Sequence, residues 1–146
     1  MRLDSAGLEI LGRRECLRLL AEAPVGRVIY TEQALPAVQP VTFAVVDGAV
    51  VFRTAADSRL AAAARNTVVG FEADAFDPDT AEGWSVTIVG RASVVTDPDR
   101  RADLAHLPLR RWNAGRPDDY IRIEVERTSG RRTLGVASRT DVLHRR

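Results

Sequence analysis

Residues 84–94 alternate without a break: Trp84, Val86, Ile88, Gly90, Ala92 and Val94 fall on one side, and Ser85, Thr87, Val89, Arg91 and Ser93 on the other. Successive strand side chains point to opposite faces, so this period of two specifies one long, half-buried strand and excludes a helix. Gly90 inside it marks a bulge or the close approach of another backbone.

The segments around it read as more strands with helices inserted. Residues 25–31 are rich in β-branched types. Residues 41–46 form an apolar run that ends at Asp47-Gly48, a hairpin signal because both positions tolerate positive φ, and Val50, Val51 and Phe52 follow at once. A strand is expected at 68–73, an acidic loop at 74–83, and a further strand where Ile121, Ile123 and Val125 alternate with polar residues, with residues 133–137 as its pairing partner. Helices are expected over 13–22, where Cys16, Leu17, Leu19 and Leu20 share a face, over 57–65 behind an Asp57 or Ser58 cap, and from Asp97-Pro98 to about His106.

Six or so strands joined mainly by short turns, with no repeated strand–helix–strand rhythm, point to a mainly β chain built as a small antiparallel barrel with three or so peripheral helices. A chain of 146 residues is expected to form a single domain, burying roughly two thirds of its unfolded surface. Residues 1–12 and 138–146 are expected to be peripheral or frayed.

Composition removes several chemistries. There are 21 basic residues, all Arg, against 20 acids. Without lysine there is no Schiff-base chemistry and no phosphate-loop NTPase. Cys16, His106 and His144 are too few for a Cys/His zinc site, and no metal is expected. The net charge of +1, with Arg and acids interleaved, argues against nucleic acid as a partner, although residues 127–146 carry six Arg against Glu-free sequence with one acid, Asp141. No apolar run approaches the ~18 residues of a membrane helix. Arg2, Asp4 and Glu9 interrupt any secretory signal, so a cytoplasmic protein that does not engage membranes is expected. Cys16 reads as a buried structural thiol.

Chemistry concentrates at residues 52–60, where a strand gives way to a helix within a few positions. Thr54 and Ser58 hydroxyls, the Arg59 guanidinium and unpaired helix N–H groups gather there, an arrangement that suits an anion. The competing reading is that Asp57 caps the helix and Arg59 pairs with a surface acid.

Taken in order, Val25-Gly26-Arg27-Val28, Pro40-Val41-Thr42-Phe43, Phe52-Arg53-Thr54 with Ser58-Arg59-Leu60, Val69-Gly70-Phe71-Glu72-Ala73-Asp74, and Gly83-Trp84-Ser85-Val86 with Gly90-Arg91-Ala92 resemble the pyridoxamine 5'-phosphate oxidase-like family of flavin-binding proteins. The resemblance implies a six-stranded split β-barrel that forms a homodimer with FMN in grooves at the subunit interface. It implies that Pro40, Val41, Thr42 and Phe43 run along the flavin ring, that Arg53, Thr54, Ser58 and Arg59 hold the phosphate, and that Trp84 and Ser85 of the second subunit close the ring pocket. Relatives often have Lys in place of Arg59; guanidinium keeps the charge and adds bidentate geometry.

The implied function is an FMN-dependent oxidoreductase acting on a small molecule, with nitro- or quinone-type reduction ahead of vitamin B6 oxidation. No side chain stands out as a general acid or base. A non-catalytic flavin or deazaflavin storage protein is the alternative, and a barrel with no cofactor is a third reading. Arg110, Arg111, Arg116, Arg131 and Arg132 are candidates for a second basic site.

Overall fold

A computed structural model of the chain describes residues 1–110 and 117–134. The short strands β1 (Arg2–Leu3) and β2 (Glu9–Leu11) lead into helix α1 (Arg13–Glu22), and then β3 (Gly26–Glu32), β4 (Leu35–Val41), β5 (Phe43–Val46) and β6 (Ala49–Ala55) follow in succession. Helix α2 (Arg59–Ala63) precedes the long hairpin of β7 (Thr67–Asp77) and β8 (Glu82–Val94). Helix α3 (Pro98–Leu104), β9 (Asp118–Ile123) and β10 (Arg127–Arg132) complete the described chain.

The strands order as β4-β3-β7-β8-β9-β6-β5, and every adjacent pair is antiparallel. The two ends of that row, β4 and β5, are consecutive in sequence and separated only by Thr42. With β4 and β5 counted as one bent strand, the barrel has six staves: the expected split β-barrel. Strand β10 pairs with β8 beside β9, and β2 and β1 extend that edge, so the described residues hold ten strands rather than about six.

The long alternating strand is the hinge of this arrangement. One edge of β8 pairs with β7 along its length, while the other meets β10 through residues 84–89 and then β9 through residues 92–94. The chain passes from β9 to β10 over Gly90: Glu124 N–H donates to Arg91 O at 3.0 Å and Glu126 N–H to Val89 O at 3.1 Å. A Cβ on Gly90 would lie 1.5 Å from Glu124 O, so close backbone approach requires glycine there.

Inward side chains fill the barrel, with Phe52, Phe71, Ile88, Ile121 and Ile123 fully buried, and α1 closes one side with Cys16, Leu19 and Leu20. Cys16 is the expected buried thiol, and burial pushes its pKa up. A smaller cluster of Val51, Val95, Leu104, Leu109 and Tyr120 lies on the outer face of β6 and β9, beneath α3.

Several local expectations change. The apolar run at 41–46 is interrupted at Thr42, and β4, with Pro36 and Pro40 in it, precedes the run where no strand was expected. Strand β4 lies at the end of the sheet path, where a missing N–H is tolerated, and its hairpin turns through Gln33 and Ala34 at φ 49° and 62° without glycine. The acidic loop contracts to the turn at 78–81, because Asp74, Ala75, Phe76 and Asp77 pair with residues 82–85. Strand β9 pairs with β6 and β8; of its expected partner at 133–137, residues 133–134 follow the end of β10 at Arg132, while residues 135–137 and the frayed end expected at 138–146 lie outside the described residues. The Asp47-Gly48 hairpin forms as expected, at φ 50° and 75°.

Candidate functional site

The β5–β6 ladder ends at Phe43 opposite Phe52, which leaves Thr42 and Arg53 as the next residues on the two strands. Val41 is buried, Pro40 is exposed, and the Phe43 ring meets Phe71 edge-on at 4.7 Å. Thr42 Oγ1 accepts a hydrogen bond from Arg110 N–H at 3.0 Å, so the segment after α3 is tied to the bend of the barrel.

Beyond this point the alternation of β6 separates two residues that adjoin in sequence. Arg53 faces outward, opposite Tyr120, and Thr54 faces inward, opposite Asp119. On the outer face, Arg53 Nη2 pairs with Asp118 Oδ2 at 2.7 Å, and its guanidinium lies 5.2 Å from the Tyr120 ring centroid. Arg101 of α3 lies 5.3 Å from the same ring and donates to Val95 O and Asp118 O. Two guanidinium groups thus flank one buried tyrosine, each a cation–π contact that strengthens with desolvation. Arg53 Nε is buried and makes no hydrogen bond among the described residues.

On the inner face, Thr54 Oγ1 and Ser58 Oγ share a hydrogen bond of 2.9 Å. Ser58 caps α2 by accepting from Ala61 N–H at 3.0 Å, so one of the helix N–H groups expected to face an anion is already satisfied. Thr54 is the buried polar residue of the core, at 7% exposure. Arg59 follows at the first position of α2, but its side chain is 84% exposed and lies 3.3 Å from Glu32 Oε1. Asp119 Oδ2 is buried without a hydrogen bond among the described residues, and Arg65 Nη2 is 3.9 Å away.

The structure therefore brings Thr54 and Ser58 into contact, holds Arg53 on the opposite face of the same strand, and leaves Arg59 at the surface. Trp84 and Ser85 belong to another region. They line an open cleft of about 360 Å³ with Leu8, Asp74, Phe76, Gly83, Arg131 and Thr133, at the free end of the β7–β8 hairpin. Arg27 pairs with both Glu72 and Asp74 on the adjoining part of β7. Burial, followed by the neighbouring Asp74, pushes the Glu72 carboxyl above its ordinary range, against the pull of Arg27.

A second cleft of about 260 Å³ lies between α3 and the outer barrel, lined by Val46, Asp47, Val51, Val95, Arg100, Asp103, Leu104 and Arg122. His106 is exposed beyond the end of α3, and Cys16 is distant in the core, beneath Leu11 and Gly130. Among the described residues no group of three His, Cys, Asp or Glu could hold a metal ion. No helix among them is long and apolar enough to cross a membrane.

Sequence reading missed Asp118, Asp119, Tyr120, Arg65 and Arg101. Asp118-Asp119-Tyr120 opens β9, so its alternation sends Asp118 and Tyr120 to the Arg53 face and Asp119 to the Thr54 face. No spacing in the sequence announces that register. The one available signal was an acidic pair at the start of an otherwise apolar strand.

The family model for pyridoxamine 5'-phosphate oxidase matches residues 12–132. An uncharacterized protein of Mycobacterium tuberculosis is 41% identical over 129 residues, which cover 85% of this chain and 84% of that one. The structure of the FAD binding protein from Mycobacterium smegmatis is similar with a TM-score of 0.76 at 34% identity, over 86% of this chain and 98% of that chain. A conserved protein of unknown function from Corynebacterium diphtheriae matches with a TM-score of 0.73 at 30% identity, over 87% and 98% of the two chains.

Proposed function

This chain belongs to the pyridoxamine 5'-phosphate oxidase family, and from that premise we propose that it is a flavin-nucleotide-binding oxidoreductase working as a cytoplasmic homodimer. The observation that carries the reading is the joined Thr54–Ser58 hydroxyl pair at the β6–α2 junction. It stands where the family resemblance calls for a phosphate, and Arg59 follows it at the first position of α2.

The residues fit such a group. Two hydroxyls that bond to each other leave one proton to donate outward. Arg53, on the opposite face of β6 and paired with Asp118, is not among these donors. The Arg59 side chain is exposed and paired only through a 3.3 Å contact, so little opposes its turning from Glu32 to an incoming phosphate. The Pro40-Val41-Thr42-Phe43 bend supplies the edge along which the flavin ring would lie. When bound, the flavin supplies electron and hydride transfer; the chain supplies orientation, charge and exclusion of water.

A second copy of the chain is part of the proposal. Trp84 and Ser85 line a cleft on the β7–β8 hairpin, and Leu35, Val38 and Phe76 are 68%, 59% and 63% exposed. A dimer would cover these side chains and bring one copy's Trp84 and Ser85 to the other's ring site. FMN and FAD share the ring, ribityl chain and first phosphate, so both satisfy this reading; the Mycobacterium smegmatis relative is an FAD binding protein. Reduction of a nitro- or quinone-type small molecule is the proposed chemistry. Vitamin B6 phosphate oxidation is disfavoured, because Arg131 is engaged by Asp4 and Arg132 by Glu9 and Glu15 rather than open to a second phosphate. Of the other candidates Arg110 is exposed, and Arg111 and Arg116 lie outside the described residues.

The alternative is a protein that stores a flavin or deazaflavin without turning over a substrate. It is favoured by the placement of the described Cys and His, since Cys16 is sealed in the core and His106 stands at the end of α3. Rapid mixing of the loaded protein with NADPH separates the two: reduction of the bound flavin supports the oxidoreductase, and resistance to NADPH and other donors supports storage.

A further inference from the structure

The cleft of about 260 Å³ between α3 and the outer face of the barrel takes no part in flavin binding as proposed above. Its floor is apolar: Val51, Val95 and Leu104 are buried members of the cluster beneath α3, and Val46 packs against them. Its sides are charged. Arg100 and Asp103 lie three residues apart on α3, and Leu104 follows Arg100 by four, so all three share the helix face turned to the sheet. Arg101 holds that helix in place through hydrogen bonds to Val95 O and Asp118 O. Arg122 stands opposite Val51 in the β6–β9 ladder, and Asp47 belongs to the β5–β6 turn.

Two guanidinium groups and two carboxylates thus line one cleft, and they do not satisfy one another. Among the described residues Arg100, Asp47 and Asp103 make no ion pair, and Arg122 reaches only the exposed Glu124, at 3.2 Å. A plain anion would be drawn by Arg100 and Arg122 but opposed by Asp47 and Asp103, and a plain cation would meet the reverse. A molecule with one charge of each sign uses both sets. The floor asks in addition for a compact hydrocarbon group, because covering it removes apolar surface from water. At roughly 30 Å³ for each water-sized group, the volume suits about nine such groups, the size of leucine.

From this juxtaposition we propose that the α3 cleft binds a free α-amino acid with an aliphatic side chain. Its carboxylate meets Arg100 and Arg122, its ammonium meets Asp47 and Asp103, and its side chain covers the apolar floor. None of these residues is among those placed at the flavin, so the two sites are distinct.

The test is isothermal titration of the purified protein with L-leucine and with analogues that each lack one element: isocaproate without the ammonium, isoamylamine without the carboxylate, and glycine without the side chain. Leucine is expected to bind with a dissociation constant of about 1 mM or tighter, and each analogue at least about ten-fold more weakly. Arg100→Gln should weaken leucine by about ten-fold without weakening isoamylamine, and Asp103→Asn should weaken leucine similarly without weakening isocaproate. Both side chains are exposed and unpaired among the described residues, so the variants should melt as the wild type does. Should either lose stability, the analogue series in the wild type still decides. Isocaproate or isoamylamine binding as tightly as leucine overturns the two-charge site, and glycine binding as tightly overturns the role of the apolar floor. Leucine affinity unmoved by both substitutions removes leucine from this cleft, and no leucine binding at all overturns the site. Flavin titration of the same samples reads the other site separately, so failure of one reading is distinguishable from failure of the other.

Discussion

Replacing Ser58 separates its two duties, capping α2 and serving the proposed phosphate site. In Ser58→Ala the Ala61 N–H loses its acceptor, a cap loss of about 1 kcal/mol. Thr54 Oγ1, buried in a residue only 7% exposed, also loses its 2.9 Å partner, and an orphaned buried hydroxyl costs about 1 kcal/mol or somewhat more. The sum is roughly 2 kcal/mol, and at about 3 °C per kcal/mol for a chain of this size the melting temperature should fall by roughly 6 °C. Ser58→Asp behaves differently. Aspartate caps a helix as well as serine and still accepts from both Ala61 N–H and Thr54 O–H, so stability should stay within about 1 kcal/mol of wild type. Its carboxylate, however, occupies the place of the phosphate, and flavin affinity should fall by about a hundred-fold. Thermal denaturation of the cofactor-free proteins, followed by flavin titration, reads both effects. Wild-type flavin affinity in a stable Ser58→Asp protein would refute the placement of the phosphate at Thr54 and Ser58.

Gly90→Ala should fold poorly, because the new methyl would meet Glu124 O at 1.5 Å and backbone must move on both strands; a loss of about 3 kcal/mol or more is expected by chemical denaturation. Arg53→Ala should destabilise by about 2–3 kcal/mol, since Asp118, with 6% of its side chain exposed, loses its 2.7 Å partner. Arg59→Ala should leave stability within about 0.5 kcal/mol, its pair with Glu32 being exposed, yet weaken flavin binding about ten-fold; equal affinity would remove Arg59 from the site. Hydrogen bonds from Arg18 and then Arg132 hold the Glu15 carboxyl at about 2 against an ordinary 4.5. A folded value below the unfolded one stabilises fully above pH 4.5 and is lost as pH falls from there through 2. Acid titration monitored by circular dichroism should show that loss in the wild type, reduced in Glu15→Gln.

The parts of the fold that follow from local chemistry were legible in the sequence. Period-two alternation located β8, Asp47-Gly48 located the β5–β6 turn, and leucine spacing located α1 to the residue. Strand β4 was hidden because its two prolines are allowed only by its place at the sheet edge, a property of the assembled sheet. Residues 74–77 read as loop because both faces of the hairpin tip are solvated, so no hydrophobic alternation marks them. Gly90 was flagged as a close approach, but the carbonyl that needs it, Glu124 O, comes from a segment distant in sequence.

The candidate site divides the same way. Thr54 and Ser58 are four residues apart around one strand–helix junction, and their contact could be anticipated. The separation of Arg53 from Thr54 follows from strand alternation, which applied to β6 as much as to β8. What local spacing could not supply was the partner across the sheet: Asp118 and Tyr120 for Arg53, and Asp119 for Thr54. Register between strands so far apart is fixed by packing of the whole barrel.

The most direct test of the central claim is the visible absorption spectrum of the purified protein, with mass measurement of whatever denaturation releases. Flavin absorption bands and a released flavin nucleotide are expected, approaching one per chain after saturation with cofactor. A colourless protein that releases nothing and takes up neither FMN nor FAD would contradict it.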